Sequence, residues 1–176
     1  MIEQQLEKII RDVKDFPKEG IMFKDITPVF SDPRLCREIT KEFARRVASW
    51  QPEAIAGIEA RGFLFGFMLA QEMGLPFIPI RKAGKLPSRT YYREYALEYG
   101  TARIEMHTDV IRPGQRVLLH DDLLATGGSA EAAAELITEA GGELVGFAFL
   151  VNLRFLDGEK RLARFAKPLE SLVIYK

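Results

Sequence analysis

Two stretches of this 176-residue chain gather the residue types that chemistry needs. In VLLHDDLLATGGSA, Val117 to Ala130, an apolar run leads to the adjacent carboxylates Asp121 and Asp122, and Thr126-Gly127-Gly128-Ser129 follows them. Paired glycines let backbone approach a phosphate closely. A helix starting there would add oriented N–H groups and the positive end of its dipole. Neighbouring carboxylates accept hydrogen bonds from a diol but repel an anion, so a ligand's diol and its phosphate must occupy separate ends. The segment is neither a GxxxxGK[ST] loop nor a GxGxxG fingerprint, and by shape alone an acidic turn before a Gly-Gly helix entry fits equally well.

The second stretch is basic. Arg81, Lys82, Lys85, Arg89 and Arg93 occur without an intervening acid. Their summed field would attract a polyphosphate, although a solvated loop is the ordinary source of such a run. Elsewhere the candidates are thinner. His120 sits inside the apolar run and reads as structural, His107 as exposed, Cys36 as unpartnered and Trp50 as packing at a helix end.

The elements that would hold these residues are legible from periodicity. Leu6, Ile9, Ile10 and Val13 predict a first amphipathic helix, stopped by Phe16-Pro17 and Gly20. Leu35, Ile39, Phe43 and Val47 predict a second, opened by Ser31-Asp32-Pro33. Then come AIAGI (Ala54 to Ile58), a helix from Gly62 to Met73 and FIPI (Phe77 to Ile80). The alternation recurs as Val117 to Leu119, a helix from Ser129 to Ala140, and Leu144 to Val151. Short apolar runs alternating with helices predict an α/β fold, a single-domain parallel sheet flanked by helices. Ligands of such sheets bind at the carboxyl ends of the strands. Tyr91 to His107, turning at Tyr99-Gly100, reads instead as an antiparallel hairpin, and Arg81 to Thr90 as a mobile loop before it. Leu172 to Tyr175 reads as a last strand.

Composition narrows the classes. With 47% hydrophobic residues, one domain with a sizeable core is expected over residues 1–176. A single cysteine permits neither an internal disulfide nor a Cys-based zinc site, which favours a reducing, cytoplasmic setting. No apolar run approaches the ~20 residues of a spanning helix, and no membrane contact is expected. Twenty-five basic residues balance 25 acidic ones, without the basic stripe that nucleic acid attracts.

VLLHDDLLATGGSA resembles the diphosphoribosyl-binding motif of type I phosphoribosyltransferases. The resemblance implies that Asp121 and Asp122 hold the ribose hydroxyls while Ala125, Thr126, Gly127, Gly128 and Ser129 wrap the 5-phosphate. Further likenesses run through nearly the whole chain and point to the adenine-using family. FPKEGIMFKDITPVFSDP, Phe16 to Pro33, resembles that family's base-binding hood within an N-terminal unit of residues 1–33. Phe23 would then stack on the purine, the Met22 backbone would read its edge and Leu123 would close the far face. Lys24 stands where the family has arginine, which puts its side-chain contact in doubt. Phe23 by itself fits ordinary core packing.

GIEARGFLFG, Gly57 to Gly66, resembles the family's pyrophosphate loop, with Glu59-Ala60 at a turn that is often cis and Arg61 directed at the pyrophosphate. Arg61 by itself would equally suit a surface turn. The likeness extends Arg81, Lys82 and Lys85 to the same pyrophosphate, some of them across a homodimer interface. YALEYG, Tyr95 to Gly100, in the loop and hairpin unit of residues 81–107, resembles the segment whose glutamate meets the purine, making Glu98 the proton acceptor. Catalysis would thus rest on Glu98 and Arg61. The small-molecule substrates implied are adenine and phosphoribosyl diphosphate, with Mg2+ arriving on the sugar diphosphate and no protein ligand assigned to it. Transfer to another base, a non-catalytic sensor of the sugar donor and a scaffold with a vestigial site are the competing readings.

Overall fold

A computed structural model describes residues 1–176 other than 17, 18, 21 and 97–99. Seven strands form the main sheet in the order β5-β6-β4-β3-β7-β8-β9. Its parallel part comprises β3 (Ala54–Ile58), β4 (Phe77–Lys82), β7 (Arg116–Leu124), β8 (Glu143–Leu153) and β9 (Leu169–Tyr175). The predicted hairpin, β5 (Thr90–Ala96) with β6 (Thr101–His107), pairs antiparallel and adds to the β4 edge. The first two residues of the expected loop, Arg81 and Lys82, belong to β4, because they pair with Glu105 and Ile104 of β6.

Helices cover both faces. On one side α2 (Pro33–Val47) and α3 (Gly62–Met73) pack Ile39, Phe43, Phe65 and Leu69 on Ile55, Leu118 and Leu150. On the other, α4 (Gly128–Glu139) packs Ala133, Leu136 and Ile137 on Ala56, Leu119, Phe147 and Phe149. The period of two sends alternate residues of each strand to opposite helical layers, which is why these strands read as unbroken apolar runs. Fully burying one such leucine contributes about 2 kcal/mol. The Asp32 carboxylate accepts hydrogen bonds from the Arg34 and Leu35 N–H groups at 2.9 and 3.0 Å, capping α2 where the sequence placed its start.

The N-terminal helix is shorter than its apolar spacing suggests. It is α1 (Ile2–Ile9), and Ile10 is already extended at φ −65°, ψ 126°. Val13 lies instead in β1 (Arg11–Lys14), antiparallel to β2 (Met22–Asp25) in a separate two-stranded ribbon. Ladder pairing from Arg11↔Asp25 to Lys14↔Met22 overrides a helical pattern of only about two turns. A short helix absent from the sequence reading, α5 (Gly158–Leu162), follows β8.

The connection from β3 leads outward to β4, whereas that from β7 leads the opposite way to β8. Between β3 and β7 the chain therefore diverges at the carboxyl ends of the strands. A crevice opens at such a switch point.

Candidate active site

The acidic stretch and the turn after β3 emerge together at this crevice. From β3 come Glu59, Ala60 and Arg61; from β7 come Asp121, Asp122 and Leu123, continuing into Ala125 and Ser129. Together with Ile58, Lys82, Tyr95 and Ile104 they line a cleft of about 450 Å³. Beside it, Leu123 to Ala130 with Tyr95 and Ala96 line a second hollow of about 280 Å³, which contains Thr126, Gly127 and Gly128. The acidic pair lies within β7 rather than beyond it, because β8 continues pairing as far as Leu124↔Asn152.

The helix α3 can start against the acidic pair only because residue 62 is glycine. A Cβ there would lie 2.6 Å from Asp121 Oδ1 and 3.1 Å from Asp121 Cα. The Asp122 N–H donates to Asp121 Oδ1 at 2.8 Å. Arg61 Nε stands 2.8 Å from Asp122 Oδ2, a charge contact outside hydrogen-bond alignment that leaves this buried oxygen without a donor. Burial raises the Asp121 carboxyl well above the ordinary range, the Asp122 charge adds to the rise, and Arg61 opposes it. Asp122 is raised by burial as well, with Arg61 holding it down in part. Adjacent carboxyls offer a diol hydrogen-bond acceptors side by side.

On the β3 side the Glu59–Ala60 peptide is cis. The Glu59 carboxylate accepts from Arg81 Nε at 3.1 Å, Lys82 N–H at 3.0 Å and Lys85 Nζ at 2.5 Å. Burial pushes Glu59 up, but the hydrogen bonds from Lys85, the Lys82 backbone and Arg81 outweigh it, and the group titrates below the usual glutamate value. Three predicted ligand contacts thus meet at one carboxylate. What the turn leaves toward the cleft is its backbone and Arg61.

The hood residues divide by face. Phe23 has the Arg61 guanidinium 5.4 Å from its ring centre and the Phe16 ring edge-on at 5.1 Å, which places it at the crevice. Met22 is 45% exposed at the start of β2, where it pairs with Lys14. Lys24 turns away from Phe23: its Nζ pairs with Asp12 at 2.5 Å and lies 3.8 Å over the Tyr175 ring. The period of two puts Phe23 and Lys24 on opposite faces, which explains why lysine serves here. Glu98 lies outside the described residues.

Among the basic residues left unassigned, Arg93 is held by α4, 2.6 Å from Glu139 and 3.4 Å from Glu135, and fixes the hairpin rather than the cleft. Sequence reasoning passed over Tyr95, which lines both hollows. Burial, then the Asp121 charge, raises its phenol. Its position in an alternating hairpin gave no cue, since only pairing places it beside α4. Of the described residues, no helix is long and apolar enough to cross a membrane.

Known proteins with this arrangement are numerous. The family model for the phosphoribosyl transferase domain matches residues 29–167. The chain is 51% identical over 175 residues to the adenine phosphoribosyltransferase of Cytophaga hutchinsonii, covering 99% of this chain and 97% of that one. It is similar to the crystal structure of adenine phosphoribosyltransferase from Thermoanaerobacter pseudethanolicus, with a TM-score of 0.95, 44% identity and coverage of 99% and 100%. The Saccharomyces cerevisiae enzyme, crystallised with an imino-altritol bisphosphate and adenine, gives a TM-score of 0.92 at 36% identity, covering 97% of this chain and 98% of that one.

Proposed function

The chain belongs to the adenine phosphoribosyltransferases, and from that premise we propose how its crevice carries a phosphoribosyl group from phosphoribosyl diphosphate to adenine, releasing AMP and pyrophosphate. The observation that supports this division of labour is the continuity of the two hollows, a glycine-rich helix start on one side and an acidic pair facing Arg61 on the other.

The 5-phosphate would sit at Ala125 to Ser129, at the α4 end whose N–H groups are free and in the hollow that Thr126 and Ser129 line. Asp121 and Asp122 hold the ribose hydroxyls. Adenine stacks on Phe23 with Leu123 opposite. The bond from the anomeric carbon to pyrophosphate oxygen breaks with its electron pair leaving on the pyrophosphate, and a purine ring nitrogen bonds to the carbon. Between these events the ribose carries an oxocarbenium-like charge, which the acidic pair favours. Arg61, Arg81, Lys82 and Lys85 receive the leaving anion, and Glu98 takes the proton that the purine loses. Closure of the basic loop would keep water from hydrolysing the donor.

Among the described residues no three His, Cys, Asp or Glu groups gather to hold a metal ion. Magnesium would arrive on the sugar diphosphate, where its charge would offset that of the leaving group. A second copy of the chain would find an apolar face on α3, where Leu64 and Phe67 are exposed behind the Arg61 turn. A cytoplasmic setting suits the lone, buried Cys36 thiol.

The deciding assay is AMP formation from adenine and phosphoribosyl diphosphate, with hypoxanthine, guanine, xanthine and orotate as competitors. Absence of AMP where another base reacts would overturn the choice of adenine. Glu98→Gln is expected to lower kcat by about 100-fold with little change in donor KM, and unchanged turnover removes Glu98 from the chemistry.

A further inference from the structure

The phosphate loop, Ala125 to Ser129, carries no charged side chain of its own, yet a sugar 5-phosphate brings close to two negative charges. A cation reaches the loop from a distant part of the sequence. Helix α5 begins at Gly158, where a Cβ would lie 2.3 Å from the Ala125 carbonyl oxygen, so the two backbones touch. One turn later, Arg161 places Cβ 3.5 Å and Nη1 2.9 Å from the positions that Cβ atoms on Gly127 and Gly128 would take. Gly128 is the first residue of α4, so the guanidinium stands beside the helix end whose N–H groups are free.

The side chain has an acidic neighbour but no tight ion pair. Arg161 Nε lies 3.7 Å from Glu131 in the first turn of α4, and Arg164 Nε shares that carboxylate at 3.1 Å. Glu131 alone would repel an anion at the α4 terminus; Arg161 and Arg164, the latter paired with Glu135 as well, offset that repulsion. The helix that carries Arg161 is anchored by buried Leu162 and by Glu159, which accepts from the Asn152 amide at 2.5 Å. Asn152 is itself fully buried in β8, so the anchor reaches the sheet.

We propose that Arg161 is a positioning residue for the 5-phosphate of the sugar donor. It acts through Gly127 and Gly128 and through its field, and it selects for phosphorylated ribose. The inference rests on the assignment of this loop to the 5-phosphate. The contact between α5 and the glycines is the feature that goes beyond that assignment.

The test uses the full-length protein with ribose 5-phosphate, ribose and pyrophosphate as separate probes in binding titrations, together with donor KM and kcat. Arg161→Gln is expected to weaken ribose 5-phosphate about fivefold and to raise donor KM by a similar factor, the scale of one partly exposed charge. Binding of pyrophosphate and kcat should stay within about twofold. Arg161→Lys should restore most of the loss, and Arg164→Gln should leave ribose 5-phosphate within about twofold, because Arg164 meets the same carboxylate without approaching the glycines. Equal weakening of pyrophosphate, no recovery with lysine, or unchanged ribose 5-phosphate affinity in Arg161→Gln overturns the proposal. If the unaltered protein binds ribose 5-phosphate no better than ribose, the loop assignment falls, and this inference falls with it.

Discussion

Replacing His120 by leucine should stabilise the protein, and by more in acid than at neutral pH. The imidazole is fully buried, and neither ring nitrogen has a well-formed hydrogen bond, the Ala148 backbone offering only a partial one. Phe43 meets the ring edge-on at 5.2 Å, so its surroundings suit an apolar side chain of similar size. A buried polar group left unpaired costs about 1–3 kcal/mol, and the leucine variant should gain about that much at roughly pH 7.5. Burial also lowers the imidazole to about 4 from 6.5, with the Ala148 backbone as a small opposing influence. As pH falls below 6.5 the unfolded chain binds a proton that the folded chain refuses, so stability drops until pH reaches about 4 and then levels. At about pH 5 this adds about 2 kcal/mol to the cost of the histidine. Asp121 and Asp122 titrate in both proteins, and the comparison subtracts them. Urea unfolding of both proteins at equal concentration measures the gap. A leucine variant less stable at neutral pH, or a gap that fails to widen in acid, would refute the reasoning.

The close approach of α5 to the phosphate loop makes Gly158→Ala informative. Its new methyl would meet the Ala125 carbonyl oxygen at 2.3 Å, and the strain should cost about 1–3 kcal/mol in thermal unfolding and raise donor KM more than it lowers kcat. The opposite faces of β2 predict contrasting hood variants. Lys24→Ala should leave adenine KM within about twofold, because its partners are Asp12 and Tyr175, and should cost less than about 1 kcal/mol of stability. Phe23→Ala should raise adenine KM about tenfold through loss of the stacking ring. Similar effects from both substitutions would show that the ribbon does not sort them.

Periodicity carried the repeated strand–helix–strand units because each strand is buried on both faces and each helix on one. Asp32 marked the start of α2 for a local reason, a carboxylate capping two N–H groups. The failures lie where long-range pairing decides. Val13 keeps helical spacing with Leu6, yet the ladder to Phe23 makes it strand. Asp121 and Asp122 look like the start of a loop, but pairing with β8 extends β7 to Leu124. In the site, Arg61 and the acidic pair were legible because motifs fixed them near β3 and β7. Tyr95 and Arg161 were not: one reaches the crevice by hairpin docking on α4 and the other from the far side of β8.

The crevice also explains how so many cations can wait for an anion without disordering the fold. Arg61 is paired with Asp122, while Arg81 and Lys85 converge on Glu59. These acids are largely buried, so leaving them without a cation would be costly, and the arginine and lysine heads stay ordered near the cleft. On the proposed assignment, a pyrophosphate arriving there would exchange one set of anionic contacts for another instead of ordering free side chains. Less entropy is lost on binding, but part of the Coulomb attraction is spent breaking the internal pairs. The 5-phosphate faces a different balance at Gly127 and Gly128, because Arg161 sits only loosely on Glu131. The donor should therefore owe more of its net affinity per charge to the 5-phosphate end, and the pyrophosphate end is the easier one to release.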